Sequence, residues 1–172
     1  MRYEMKRTNP ILLIMLLSLM LTLASCSDED AAIGLKLNEI QAANPDDEDW
    51  LELYNNSDEE VALAGVELRD SNRFWKFAGG KLAARAFLKV VCDGKNRAGT
   101  TNFKLSASGE RLTILDNNGN KLDHLVFPAL RSKTSWGRVP DGDGSWTALG
   151  NPTPGKANVA GAPADLGPQL DS

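Results

Sequence analysis

Residues 111–127 read RLTILDNNGNKLDHLVF and carry the strongest local signal for the fold. Two apolar runs, residues 111–115 and 121–127, stand on either side of a short polar loop, residues 116–120. The pair Asn118-Gly119 in that loop supplies the positive φ angles that a tight turn between two strands requires. The stretch therefore predicts a β-hairpin.

The chain on both sides of this hairpin shows the same pattern from residue 33 onward. Apolar runs of about four to eight residues, rich in β-branched and aromatic side chains, are separated by Gly, Asn, Asp and Pro. No convincing helical period is present in that part of the sequence. The pattern predicts an all-β fold, a β-sandwich whose strands turn alternate residues toward a shared core. The predicted strands are residues 34–41, 50–54, 61–64, 66–69, 74–77, 87–92, 102–105, 111–115, 121–127, 135–138 and 146–149.

The composition is that of a soluble globular chain with one domain or two at most. The chain has 172 residues, of which 42% are hydrophobic and 24% charged, and this excludes collagen, long coiled coils and fully disordered proteins. Two Cys and one His leave no material for a disulfide framework or a zinc finger. The sequence predicts no catalytic residue, no metal site and no cofactor.

Cys92 and His124 have side chains that can take part in catalysis, but the sequence around each favours a structural role. Cys92 shares a strand face with Leu88 and Val90, so we expect a small buried hydrophobic residue. His124 shares a face with Leu122 and Val126, which favours a packed or edge histidine over a general base.

Two acidic stretches offer oxygen atoms of the kind that bind Ca²⁺. They are the four consecutive acids that begin at Asp46 and end at Asp49, and the pair Asp141 and Asp143 with a glycine after each. Calcium needs about six to eight oxygen ligands, and neither stretch completes a known calcium-binding loop. Solvated loops are the simpler interpretation of both.

The N-terminus has the layout of a signal peptide. Arg2, Lys6 and Arg7 form a charged start, and the apolar residues 11–24 follow. About 14 residues in a helix rise only ~21 Å, which is short of the ~30 Å hydrocarbon core of a bilayer. We therefore predict a cleaved signal peptide over residues 1–25.

The end of this segment, Leu23-Ala24-Ser25-Cys26, resembles the lipobox of bacterial lipoproteins. The resemblance implies that Cys26 becomes the lipidated N-terminus after cleavage, with a diacylglyceryl group and an amide-linked acyl chain such as palmitate. Acyl chains in that number anchor a protein stably to a membrane. An ordinary secretory signal with an incidental Cys is the alternative.

Acidic residues follow Cys26 directly. Ser27, Asp28, Glu29 and Asp30 resemble the acidic signal that some Gram-negative lipoproteins use for export to the outer face of the outer membrane. A solvated spacer is the alternative. We predict a lipidated acidic linker over residues 26–33 and an outer-membrane location with exposure at the cell surface.

The remaining chain is predicted to contain one sandwich domain, residues 34–158, and a tail. Residues 159–172 have few large apolar side chains, so burial cannot offset their ordering entropy and we expect disorder. Pro152 and Pro154 with Gly155 predict a rigid exit that ends the last strand and releases the tail.

A series of short motifs runs through residues 35–158 in a fixed order. The motifs are Asn38-Glu39-Ile40, Asp49-Trp50-Leu51-Glu52-Leu53-Tyr54-Asn55, Leu68-Arg69-Asp70, Phe103-Lys104-Leu105-Ser106, Gly109-Glu110-Arg111-Leu112, Leu115-Asp116, Gly119, Gly137-Arg138, Asp141-Gly142 and Pro152-Thr153-Pro154-Gly155-Lys156-Ala157-Asn158. Together they resemble the lamin tail domain family. The resemblance implies an immunoglobulin-like β-sandwich without catalytic residues that acts as a binding or tethering module. In that family, lamins use the domain for protein partners and chromatin, and bacterial copies often accompany nucleases or other extracellular domains.

One of these motifs places a carboxylate between two aromatic side chains. The strand period turns Leu51 and Leu53 to one side and Trp50, Glu52 and Tyr54 to the other. Glu52 is therefore either a buried anchor for backbone amides or a residue of the rim, and we favour a structural role for it.

Charge is distributed very unevenly along the chain. Residues 26–68 contain 13 acids and one base, whereas residues 69–104 contain nine bases and two acids. If the bases gather on one face with Trp75 and Phe77, they are suited to phosphates and stacked bases. If they alternate around the sandwich, they are an ordinary surface. The candidate basic face is Arg73, Lys76, Arg85 and Lys89.

These observations favour a lipoprotein held at the membrane through Cys26 that docks onto protein or envelope glycan. The alternative from a different class is a nucleic-acid-binding accessory of an extracellular nuclease. The net acidic total of the chain, −4, argues against the second function because it repels nucleic acid at long range.

Overall fold

The computed structural model describes residues 34–161 except residues 43, 45 and 46. Within these residues every regular element is a strand, and no helix there is long and apolar enough to span a bilayer. The strands are β1 (Leu35–Gln41), β2 (Trp50–Asn55), β3 (Val61–Ala62), β4 (Glu67–Arg69), β5 (Phe74–Lys76), β6 (Lys81–Leu82), β7 (Phe87–Val91), β8 (Glu110–Leu115), β9 (Lys121–Phe127), β10 (Ser135–Val139) and β11 (Ser145–Leu149).

The strands form two main antiparallel sheets. One has five strands in the order β11-β10-β1-β2-β7, the other has four in the order β5-β4-β8-β9, and β3 pairs separately with β6. Side chains from both main sheets meet in one buried apolar cluster, for example Leu37 and Leu53 from the first and Leu68 and Ile114 from the second. The all-β prediction is confirmed, and the arrangement is consistent with an immunoglobulin-like β-sandwich.

The predicted strands agree with the observed ones apart from one false strand and one missed strand. Residues 102–105 form no strand, although Phe103 and Leu105 are buried in the core. The segment is held instead by side chains, since the Asn102 amide donates to the Phe74 carbonyl at 3.0 Å. The missed strand, β6, has only two residues, which is too short for a period-two pattern to show.

The hairpin of β8 and β9 is confirmed, but its turn is built differently from the prediction. Only Gly119 of the Asn118-Gly119 pair has a positive φ, of 87°. The Asp116 carboxylate organises the loop by accepting the N–H groups of Asn118 at 2.9 Å and Asn120 at 2.7 Å. The five-residue loop is therefore closed by an aspartate rather than by two residues of positive φ.

Cys92 and His124 both lie in positions that fit a structural role. Cys92 is fully buried, and burial raises the pKa of its thiol to about 12, so it is an inert core residue. His124 is exposed on β9, an edge strand of the four-stranded sheet. It is thus an edge histidine rather than a packed one.

The uneven charge along the chain is compensated in space. Among the described residues, six ion pairs join the basic segment, residues 69–104, to the acidic segment that precedes it. They are Arg69–Glu67, Lys76–Glu67, Lys81–Glu60, Arg85–Asp58, Lys89–Asp47 and Lys95–Glu48. Most of these partners are exposed, so water screens them and each pair is individually weak.

Several predictions lie outside the described residues. They concern the signal peptide, the Cys26 lipidation site, the export signal Ser27 to Asp30, the rest of the linker to residue 33, and residues 162–172 of the tail. Asp46 of the first acidic stretch is also outside them.

Candidate functional site

Two glutamates lie directly opposite each other on the outward face of the five-stranded sheet. Glu39 of β1 pairs in register with Glu52 of β2, and both side chains are fully buried. Like charges in directly opposite positions of an antiparallel pair destabilise a sheet. Buried carboxylates also need hydrogen-bond donors in place of water. The position therefore depends on a source of donors above the sheet.

A segment that follows β11 supplies most of these donors. We call residues 152–158 the C-terminal clasp. The Thr153 N–H donates to Glu39 Oε1 at 3.0 Å and its hydroxyl donates to Oε2 at 3.1 Å. The Gly155 N–H donates to Glu52 Oε2 at 2.5 Å. Glu52 is thus the buried anchor for a backbone amide that the sequence suggested, and Ser135 adds a hydroxyl donor to Glu39.

The clasp ends at Asn158, which is tied to the sheet at three points. Its side-chain amide donates to the carbonyls of Asn38 at 3.1 Å and Arg138 at 3.0 Å, and its N–H donates to Asp141 at 3.1 Å. The predicted exit after the last strand is therefore wrong. The prolines end β11, but the chain folds back over the sheet because buried carboxylates and carbonyls require its donors.

Asp141 brings a third carboxylate to this cluster. The Asn38 side-chain amide donates both to Asp141 at 2.9 Å and to Glu52 at 3.3 Å, and so bridges the two acids. Burial raises the pKa of Glu52 to about 7, with the charges of Glu39 and Asp141 adding to the effect and the hydrogen bonds opposing it. Burial also raises the pKa of Glu39.

Asp141 and Asp143, the two acids of the second acidic stretch, both accept hydrogen bonds from other parts of the protein. Asp141 serves Asn38 and Asn158, and Asp143 accepts the Asn56 side-chain amide at 2.5 Å. Among the described residues no group of three or more His, Cys, Asp or Glu side chains is placed to hold a metal ion. The two aspartates thus hold segments of their own chain together.

No segment among the described residues covers the outward face of the four-stranded sheet in this way. The register places Phe74 beside Arg69, Arg69 beside Thr113, and Arg111 beside Val126. Phe74 is 56% exposed and Val126 is 63% exposed. We call this surface, formed by β4, β5, β8 and β9, the open face.

Cations surround the exposed apolar residues of the open face. Arg69 and Lys76 are each about half exposed and share one acid, Glu67, whose side chain is 8% exposed. Arg111 is exposed on the adjacent strand, and none of the described ion pairs includes it. The open face therefore combines an aromatic ring, an aliphatic side chain and a local excess of positive charge.

The four predicted basic residues do not lie on one sheet. Lys76 is on β5 of the open face, and Arg73, just before it, donates to the Asn102 carbonyl at 2.9 Å. Lys89 lies opposite Glu52 on the other sheet, 3.7 Å from Asp47 and 5.4 Å from the Trp50 ring centroid. Arg85, in the turn before β7, donates to Asp58 and Asn56 at 3.0 Å.

The aromatic residues expected beside these bases point the other way. Trp75 and Phe77 pack against the core, with ring centroids 4.6 Å apart. Phe74 is the exposed ring instead. Strand alternation could have identified Phe74 as the exposed ring from the sequence, because it turns Phe74 and Trp75 to opposite sides of β5. The pairing of Glu39 with Glu52 had no comparable signal, since it depends on the register between two strands.

A family model described as Lamin Tail Domain matches residues 29–128, which is more than half of the chain. The matched range contains β1 to β9, and β10, β11 and the clasp follow it. No curated protein matches the chain.

Proposed function

The chain belongs to the lamin tail domain family, and from that premise we propose a membrane-anchored surface lipoprotein whose immunoglobulin-like module docks, without catalysis, onto an envelope protein or glycan. The open face is the observation that carries this proposal. Protein interfaces are enriched in exposed aromatic residues and arginines, and Phe74 with Arg69 and Arg111 provides that combination on a rigid sheet. Its excess of positive charge favours a partner surface that carries acidic groups.

The anchor is proposed from the sequence around Cys26. Acyl chains at this residue would hold the domain at the membrane and raise its effective concentration near other envelope components, so that weak contacts suffice. Replacement of Cys26 by Ala is expected to move the protein out of the membrane fraction. A variant that stays in the membrane fraction contradicts the anchor.

Surface exposure has a separate test. Protease added to intact cells is expected to digest the wild-type domain. Replacement of Asp28, Glu29 and Asp30 by Ala is expected to protect it, because the acidic export signal is then lost. Equal digestion of both proteins would show that these residues are only a spacer.

Docking is tested by site-specific photo-cross-linking of the full-length protein in intact cells. A photoreactive amino acid at position 74 is expected to give a discrete adduct, and the yield is expected to fall when Arg69 and Arg111 are changed to Gln. The matched control carries the same group at Val159, which is 69% exposed and outside the open face. The same adducts from both positions, or none from position 74, would contradict docking through this face.

Nucleic-acid capture is a second candidate because one ring and several cations share the open face. Single-stranded nucleic acid binds to such surfaces through base stacking and phosphate contacts. Saturable DNA binding should persist near physiological salt, fall linearly in log K against log salt, and weaken in Phe74→Ala and Arg111→Gln. Arg85→Gln and Lys89→Gln are controls outside the open face. No binding even at low salt would leave docking as the function.

A further inference from the structure

Within the part of the chain that the structure describes, the three carboxylates under the C-terminal clasp have only neutral hydrogen-bond partners. The donors to Glu39, Glu52 and Asp141 are hydroxyl groups, backbone N–H groups and the Asn38 amide. Five of these hydrogen bonds come from the clasp itself. The Thr153 N–H is shared between Glu39 Oε1 and Oε2, and the Thr153 hydroxyl donates to Oε2. The N–H groups of Gly155 and Asn158 donate to Glu52 and Asp141. The clasp therefore lies on a cluster whose charge no bonded cation balances.

The elements packed around Glu52 bring mainly acidic charges to it. β1 contributes Glu39, and the turn after β10 contributes Asp141. β7 contributes Lys89 in the opposite position, but its ammonium lies 3.7 Å from Asp47 and over the Trp50 ring. β10 contributes the neutral Ser135 and Gly137, and the clasp contributes one base, Lys156, which is exposed to solvent. No hydrogen bond or ion pair among the described residues joins a base to Glu52, so the charges that act on it are those of Glu39 and Asp141.

We propose that the C-terminal clasp is a pH-sensitive latch, closed over Glu39 and Glu52 under mildly acidic conditions and opening increasingly often as the pH rises through neutrality. Opening frees residues 152–158 from the sheet and admits water to the two glutamates. The protein would in this way couple the position of residues 152–158 to the pH of its surroundings. The proposal is independent of what the open face binds.

The direction follows from proton linkage. In the closed state the pKa of Glu52 is about 7, against an ordinary value of 4.5, and the pKa of Glu39 is also raised. Hydration in the open state returns both toward the ordinary value, so opening releases protons and is favoured by rising pH. The stabilisation of the closed state is complete below the ordinary pKa and is lost as the pH rises through the closed-state pKa. From pH 5 to pH 8 the opening constant should increase by roughly one to two orders of magnitude.

Amide hydrogen exchange of the full chain measures this opening directly. After correction for intrinsic exchange, the protection of the Thr153 and Gly155 amides should fall with pH by that factor. The Leu63 amide, which donates to the Gly80 carbonyl at 2.9 Å in a different part of the fold, should keep its protection. Constant protection of Thr153 and Gly155 would overturn the latch. A parallel loss at Leu63 would overturn it too, because the event would then be global unfolding.

Two variants distinguish titration under the clasp from titration of acids elsewhere in the protein. Glu52→Gln keeps a side-chain acceptor for the Gly155 amide but removes the titration, so the pH dependence should shrink strongly. Glu67→Gln, which changes a buried acid of the open face, should leave it unchanged. If Glu52→Gln does not fold, Glu39→Gln provides the same test at the neighbouring carboxylate. Wild-type pH dependence in whichever glutamate variant folds overturns the proposal.

Discussion

The two outward faces of this sandwich differ in how they are covered. On the five-stranded sheet, buried polar groups are covered by the chain's own C-terminal clasp, and Glu39, Glu52 and Asn158 find nearly all of their partners inside the molecule. On the four-stranded sheet, Phe74 and Val126 stay exposed and their charged neighbours face water. The clasped face is the richer in polar residues, but those residues are already bonded within the molecule. Exposure, and not residue type, therefore distinguishes the face on which a partner could bind.

The largest expected difference between the faces concerns Asn158. Replacement by Ala leaves the carbonyls of Asn38 and Arg138 without their donor and removes the side-chain oxygen that lies 2.7 Å from the Thr153 hydroxyl oxygen. Buried groups without partners cost about 1–3 kcal/mol, so the free energy of unfolding should fall by about 2–3 kcal/mol. Urea unfolding followed by the fluorescence of the four Trp residues measures it.

Val159 is the matched control for this change. It is the next residue along the chain and is 69% exposed, so Val159→Ala should alter the free energy of unfolding by less than about 0.5 kcal/mol. If Asn158→Ala costs no more than Val159→Ala, the clasp is not a stabilising part of the fold and the contrast between the two faces disappears.

A smaller effect is expected at Glu67, the one acid at the centre of the open face. Arg69 and Lys76 are about half exposed, so water solvates them again when Glu67→Gln removes the negative charge. The cost should be about 1 kcal/mol, and raising the salt concentration toward 1 M should reduce it because ions screen the lost attraction. Urea unfolding at low and high salt measures both. The cost of Asn158→Ala should not depend on salt, and a salt-independent cost for Glu67→Gln would contradict this account of the open face.

Much of the fold could be predicted because it depends on local patterns. The alternation in residues 111–127 predicted the hairpin, and Gly119 marked its turn. Residues 102–105 were assigned wrongly for a physical reason. Phe103 and Leu105 are apolar because they fill the core, and burial rather than strand pairing selects them.

The candidate sites were less accessible to sequence reasoning because they depend on contacts between distant residues. Glu39 meets Glu52 only through the register of β1 and β2, and Thr153 reaches Glu39 from 114 residues along the chain. No local pattern carries that information. The prolines of the clasp predicted where β11 ends, but the donors that bring the chain back are backbone N–H groups, which every sequence has. Phe74 is a different case, because alternation along β5 could have turned it away from Trp75, but Trp75 and Phe77 were the rings expected beside the bases.

Phe74→Ala is expected to change stability little, whereas its effect on binding should be the largest. Its ring is 56% exposed, so Phe74→Ala removes little buried area and should change the free energy of unfolding by less than about 1 kcal/mol. Trp75→Ala, one residue further on and turned toward the core, should cost about 3 kcal/mol or more. Phe74→Ala should lose partner binding while it stays folded. Urea unfolding measures its stability, and cross-linking from a photoreactive amino acid at position 126, which is also exposed on the open face, measures its binding. Equal destabilisation by the two substitutions would mean that Phe74 belongs to the core and that the open face lacks its central contact.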